Sequence, residues 1–277
     1  MFPGVYGFTW DAGNLVFLGL FFSIAAVIGS TVILASMRAW RDYRDHKDQR
    51  IRWHEDFSDL PARLKACRHE LSGEIAHRTC PHAFDCRECN VHPVFVERRA
   101  SAPLTPAAVE PVSGFEMPAD RLYHRGHTWV QQQDNGELLV GLDDFGKRVF
   151  GTPETVDLPL PGTRLEVNGT GWNMSRHGHH VRVLSPVEGE VIGIGSPDDA
   201  WTLKVRPAEG KNATTHLLSG SEARTWIVRE LENLQIKLGA GSVGPSLADG
   251  GELVNDLPAQ SPGADWDAVW GEVFMEP

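Results

Sequence analysis

From Ala12 to Met37 the chain carries no charged residue, and Leu15 to Met37 is a 23-residue run dominated by Leu, Val, Phe, Ile and Ala. As an α-helix it reaches about 34 Å at 1.5 Å per residue, against a bilayer hydrocarbon core of about 30 Å. A soluble core helix is shorter and has a polar face, so this segment reads as a transmembrane helix spanning 15–37. The residues before Leu15 include no Lys or Arg, whereas a cleaved signal needs a positive leading region. The anchor is therefore expected to persist. Arg38, Arg41, Arg44, Lys47, Arg50 and Arg52 follow it, which under the positive-inside bias puts 1–14 outside the cytoplasm and everything after the span inside. The expectation is a single-pass membrane protein with cytoplasmic C-terminal domains. Asp42, Asp45 and Asp48 among those bases make 38–66 read as a charged juxtamembrane helix.

Net charge is −11, which argues against nucleic acid as a partner, because a phosphate backbone is held by clustered Lys and Arg. The acid is concentrated in 239–277, where seven carboxylates stand without any Lys or Arg. Within this acidic tail Trp266, Trp270 and Phe274 fall on one face of a helix, forming a short amphipathic element that docks on this chain or on a partner.

All four cysteines lie in one segment, 67–95, as Cys67, Cys80, Cys86 and Cys89 with spacing C-x12-C-x5-C-x2-C. Structural free cysteines scatter through cores, so this clustering calls for chemistry. In a reducing cytoplasm four close thiols read as metal ligands or a redox pair. Four sulfurs can close a tetrahedral zinc site at about 2.3 Å, with Cys86 and Cys89 chelating from one turn. Iron or an iron-sulfur centre and metal-free redox thiols are the alternatives. His69, His77, His82 and His92 are interleaved and read mostly as groups around the ligands or at the surface. Such an ion would let a segment too small for its own core fold around it.

Residues 96–118, rich in Pro, Ala and Val without periodicity, read as a linker. From 119 to 238 short apolar segments alternate with Gly, Pro and Asn-Gly turns. Candidate strands are Leu138–Leu142 after the Asn135-Gly136 turn, Val156–Leu158, Leu165–Val167, Val181–Leu184, Gly189–Ile192 and Trp201–Val205. Ile227, Leu231, Leu234 and Leu238 sit at i, i+4, i+7 and i+11 before Gly239, the mark of one helix packed on the sheet. The fold class is mainly β, a small sandwich or flattened barrel with a C-terminal helix.

Five short motifs then fall in a known order. Tyr123-His124-Arg125-Gly126-His127-Thr128-Trp129-Val130 resembles the opening of the glycine cleavage system H protein. Gly141–Gly146, Val156-Asp157-Leu158-Pro159 with Gly162-Thr163, Ser185–Val191 and Trp201–Val205 are similar to its later motifs. The resemblance covers roughly 120 to 230 and implies the lipoyl-domain barrel-sandwich hybrid. In that family lipoate is carried by a lysine seven residues before the Ser-Pro-Val turn. Here that position matches Gly178, and no lysine lies between Lys147 and Lys204. An amide to lipoate needs a primary amine, so the resemblance implies the fold without lipoate, and no cofactor-binding residue is assigned.

In place of the lysine stands a basic tip, Arg176, His177, His179, His180 and Arg182. It reads as a solvated hairpin turn, a docking patch for an acidic partner such as the chain's own tail, or a histidine metal cluster. No nucleophile elbow or phosphate loop is present, and no carboxylate pair is placed for acid-base work, so no catalytic residue and no enzyme activity are expected. The functional expectation is a membrane-anchored, non-lipoylated H-protein-like binding or scaffold protein with a four-cysteine metal site. A thiol or iron redox or metal sensor, and an accessory that binds glycine cleavage components, are the alternatives.

Overall fold

The computed structural model describes residues 11–44, 57–100, 112–197, 199–208, 213–238 and 254–276. The chain divides into two compact units, Met1–Arg50 and Ile51–Pro277.

The first unit is helix α1, Ala12–Arg44. Asp11 opens it by accepting the Asn14 amide at 2.8 Å, a side-chain cap for an otherwise orphaned donor. Thr31 returns its hydroxyl to the carbonyls of Val27 and Ile28 at 3.0 and 2.8 Å, which removes an unmet polar group from the apolar run. Ala12–Met37 is long and apolar enough to cross a membrane by length and composition. The helix continues through Arg41 to Arg44, whereas 45–56 lie outside the described residues. The expected single helix over 38–66 does not extend through its second part. After a helical turn at 57–59 the chain runs in turns, with Leu60 and Leu64 buried, because Pro61 cannot continue a helical hydrogen-bond ladder.

The second unit begins with the cysteine segment. Ala66 and Thr79 pair as an isolated antiparallel bridge, followed by α2 (Arg68–Leu71), a 3-10 turn at Cys86–Glu88 and α3 (His92–Ala100). Helix α3 replaces the first part of the expected linker, 101–111 lie outside the described residues, and Phe115 is buried in the main core. Nor does the cysteine segment stand as a separate knuckle. Phe57, Leu60, Leu64, Cys80, Ala83 and Phe84 form one apolar cluster with Leu184 and Met275, so the segment completes a core with side chains from distant parts of the unit.

The β-domain contains β1 (Leu122–Tyr123), β2 (Thr128–Gln132), β3 (Leu138–Leu142), α4 (Asp144–Phe150), β4 (Thr155–Asp157), β5 (Arg164–Leu165), β6 (Thr170–Arg176), β7 (His179–Leu184), β8 (Gly189–Ile194), β9 (Leu203–Pro207) and α5 (Gly220–Leu238). Six strands form one sheet in the order β1-β2-β3-β9-β8-β5, and three form a second, β4-β6-β7. This is the expected mainly β barrel-sandwich hybrid with a helix after the strands. Val140 pairs with Val130 on one side and Leu203 on the other, which lines up β-branched and aliphatic side chains on the buried face. Gly141 has no alternative in this sheet, because a Cβ there would stand 2.7 Å from the Trp129 ring. Helix α5 buries Ala223, Trp226, Ile227, Leu231, Leu234 and Leu238, the stripe that its spacing predicts. In the tail, α6 (Leu257–Gln260) and α7 (Trp266–Val273) are capped by Asp256 and Asp265. Residues 239–253 lie outside the described residues.

Candidate metal centre and hairpin tip

The four cysteines approach one another through two short devices. Cys67 donates its amide to Arg78 at 2.7 Å and Cys80 to Lys65 at 2.7 Å, so these two flank the Ala66–Thr79 bridge. Cys86 and Cys89 stand at either end of the 3-10 turn, with the Cys89 amide on the Cys86 carbonyl at 3.3 Å. Asp85 starts that turn by accepting the Arg87 amide at 3.0 Å.

All four cysteines line one cavity of about 20 Å³, together with Arg68, His69, Asp85, His92, His124, Arg125 and His216. That space suits a single ion or water. All four are free thiols, and among the described residues no three His, Cys, Asp or Glu side chains are already set to hold a metal. Burial pushes the Cys86 thiol up to about 11 against the Arg68 charge and hydrogen bond, which act to lower it. Burial also raises Cys80. Such thiols are poor nucleophiles until a metal displaces their protons.

The surrounding charges come from both halves of the unit. Arg68, 7% exposed, donates to Glu222 at 2.7 Å and to the carbonyls of Thr215 and Leu217 at 2.7 and 3.1 Å. Arg125, 5% exposed, lies 4.1 Å from the centre of the Phe84 ring. Its Nη2 has no hydrogen-bond partner among the described residues. Burial lowers Arg125, opposed first by the charge of Glu230, then by Cys80, Cys86 and Cys67. Of the interleaved histidines, His69 and His92 reach the cavity wall and join each other at 3.1 Å, with Glu74 on the far side of His69 at 2.5 Å. His77 and His82 are absent from that wall.

Burial, with the charges of His216 and Arg125, holds the His124 ring down at about 3 despite the opposing Asn168 bond. The ring is neutral: Nε2 donates to Asn168 Oδ1 at 2.7 Å and Nδ1 accepts the Gly126 amide at 3.1 Å. Asn168 in turn donates to the Ala83 carbonyl at 3.0 Å, linking the opening motif to the cysteine segment. His127 pairs with Asp143 at 3.0 Å, but at 0% exposure this His-Asp pair is sealed between Phe145 and Trp226. Arg68 reaches the cavity as the neighbour of Cys67, whereas spacing offered no sign of Arg125, His124 or His216 there, since packing alone brings them.

The hairpin between β6 and β7 turns at His177 and Gly178, with φ of 52° and 81°. Two consecutive positive φ values are the signature of a type I′ turn. A side chain at Gly178 would point into open space. The basic residues around it have acidic neighbours in this chain. Arg176 is buried and donates to Asp256 and to the Phe150 carbonyl, both at 2.9 Å. His179 meets Asp267 at 2.9 Å, Arg182 pairs with Glu276 and His177 faces Glu154 at 3.2 Å. His180 is exposed. His177 to His180 are exposed at the turn, and the tail's carboxylates occupy one side of the tip. Trp270 cements this arrangement by donating its indole N–H to the Val149 carbonyl at 3.0 Å, with Phe150 and Phe274 packed alongside.

No family model matches this chain. The glycine cleavage system H protein of Oceanobacillus iheyensis is 29% identical over 124 residues, 40% of this chain and 97% of that relative. The H protein of Chlorobium phaeobacteroides is 27% identical over 124 residues, 40% of this chain and 97% of its own length. A probable H protein of Pyrococcus furiosus is 26% identical over 127 residues, 42% of this chain and 92% of its own. A crystal structure of the H protein from Mycobacterium marinum aligns with 18% identity and a TM-score of 0.34, covering 42% of this chain and 98% of that one. The likeness is carried by the sequence matches.

Proposed function

We propose, from the premise that this chain contains a glycine cleavage H-protein-like domain, that it works as a non-lipoylated, non-catalytic binding scaffold anchored in a membrane and fitted with a four-cysteine metal centre. The observation that carries this reading is Gly178 at the turn of the tip hairpin. The place that resembles the family's carrier position offers no amine, so a domain of carrier type is left with its surfaces and not with a swinging group.

The metal centre is supported by four cysteines on one small cavity beside two buried arginines. Burial raises Cys80 and Cys86, which weighs against reactive free redox thiols; a divalent ion would supply the charge that displaces their protons. Cys67, Cys80, Cys86 and Cys89 would hold zinc, or iron in the alternative redox-sensing reading. The apolar stretch of α1 supports the membrane anchor through its length and composition. Binding to other components of the glycine cleavage system is the partner class that the likeness favours.

The test is elemental analysis and an absorption spectrum of the full chain in detergent, compared with a Cys86→Ser/Cys89→Ser variant. One zinc per chain, lost in the variant, supports a structural centre within a scaffold. Iron with visible charge-transfer bands moves the reading to the sensor, and absence of any metal sinks both. Failure to co-purify with glycine cleavage components under conditions that retain the metal would count against the proposed partner class.

A further inference from the structure

We infer that Arg125, supplied by the β-domain, is a positioning residue of the four-cysteine centre, its guanidinium balancing the negative charge of the metal-bound thiolates. The inference rests on the metal reading above and adds the requirement that the centre be composite. A divalent ion held by four thiolates leaves a net charge of about −2 in a buried place. Such a centre needs nearby cations and hydrogen-bond donors to persist.

Arg125 meets three separate requirements for that role. It lines the same cavity as all four cysteines. It is buried, where an uncompensated guanidinium is expensive. One of its terminal nitrogens has no hydrogen-bond partner among the described residues, while its flat face is already committed to Phe84. Glu230, partly buried and accepting from the Trp226 indole, is the carboxyl that opposes its charge, and desolvation raises that group toward its neutral form. Arg68 approaches from the cysteine segment, held by Glu222 and two carbonyls, and already acts on Cys86 by hydrogen bond and charge, whereas Arg125 comes from the β-domain. Arg125 therefore brings to the cysteine cavity a buried donor without a partner among the described residues and a charge that its surroundings only partly answer.

The test uses the full chain in detergent, loaded with zinc and titrated with a competing chelator; cobalt loading provides a thiolate charge-transfer spectrum. Arg125→Lys keeps the charge, Arg125→Met keeps the bulk over Phe84, and Arg125→Met/Glu230→Gln removes both opposing charges so that no bare carboxyl unfolds the protein. The Met variant and the double variant are expected to release zinc at roughly 10- to 100-fold lower chelator concentration, as losses around metal ligands do, with a shifted cobalt spectrum. Lysine should hold the metal close to wild type. A folded double variant that retains zinc like wild type overturns the inference while leaving the metal centre standing. Equal loss in the Lys and Met variants overturns it in favour of packing. A wild-type chain that binds neither metal removes the centre and this role together.

Discussion

Arg176 and Asp256 meet at 2.9 Å, joining the end of β6 to the cap of α6 beside the tip turn. Burial works to raise Asp256, but the Arg176 hydrogen bond, the Ala259 amide and the Arg176 charge outweigh it and hold the carboxyl below its usual range. A carboxyl lowered on folding stabilises above its unfolded value near 3.9 and loses that contribution as pH falls through the folded value. Asp256→Asn should therefore cost about 1–3 kcal/mol at neutral pH, since it leaves the buried Arg176 without its counter-charge. The difference from wild type should vanish in acid. Urea unfolding followed from pH 7 downward measures both, with the difference shrinking as pH falls below about 3.9.

Trp270→Ala should cost about 3–5 kcal/mol, the usual range for removing a large buried aromatic. The ring contacts Phe150 and Trp266 and its N–H satisfies Val149. Near-ultraviolet circular dichroism with denaturant melts should show the loss. A change below about 1 kcal/mol, typical of a surface site, would mean that the tail does not pack as described.

The pH dependence of stability should also carry the mark of His124. Its ring is held at about 3 when folded and titrates near 6.5 when unfolded. A histidine lowered on folding stabilises fully above the unfolded value and loses that contribution as pH falls from about 6.5 toward 3. His124→Gln should flatten the decline between pH 6 and 4 by up to about 1.4 kcal/mol per pH unit. Parallel slopes for the two proteins, measured by urea melts, would show that the ring takes up its proton without unfolding.

Gly178 gives a direct check on the carrier reading. Incubated with a lipoylating enzyme, the wild-type chain should gain no lipoyl mass at the tip by intact-mass and peptide analysis. Gly178→Lys should fold, losing about 1 kcal/mol to the left-handed turn because its side chain meets only open space. Lipoyl mass on any lysine of the wild-type chain, such as Lys147 or Lys204, would overturn the assignment of a non-carrier domain.

What the sequence made legible was local. Asn135-Gly136 announced the β2–β3 hairpin, and the alternating four- and three-residue spacing of Ile227, Leu231 and Leu234 announced α5. Strand β6 escaped because Asn173 and Ser175 break its apolar run, leaving Trp172 and Met174 to be recognised only through pairing with β4 and β7. Helix α4 escaped because Gly141–Gly146 matched a strand end, although Asp143 was in place to accept the Gly146 amide at 2.7 Å. The four cysteines were legible as a cluster. Arg125 and His216 were not, since their meeting with the cysteines depends on tertiary packing across the whole unit.

The apolar cluster that joins Phe57, Phe84, Leu184 and Met275 also sets a schedule. Synthesis delivers the cysteines early, Arg125 and Leu184 later, and Met275 later still, so the contacts that seal this cluster cannot all form while the chain is being translated. The nascent cysteine segment stays open to its surroundings during that interval. The arrival of the tail, through Met275, is the last event that closes this cluster over Phe57 and Phe84.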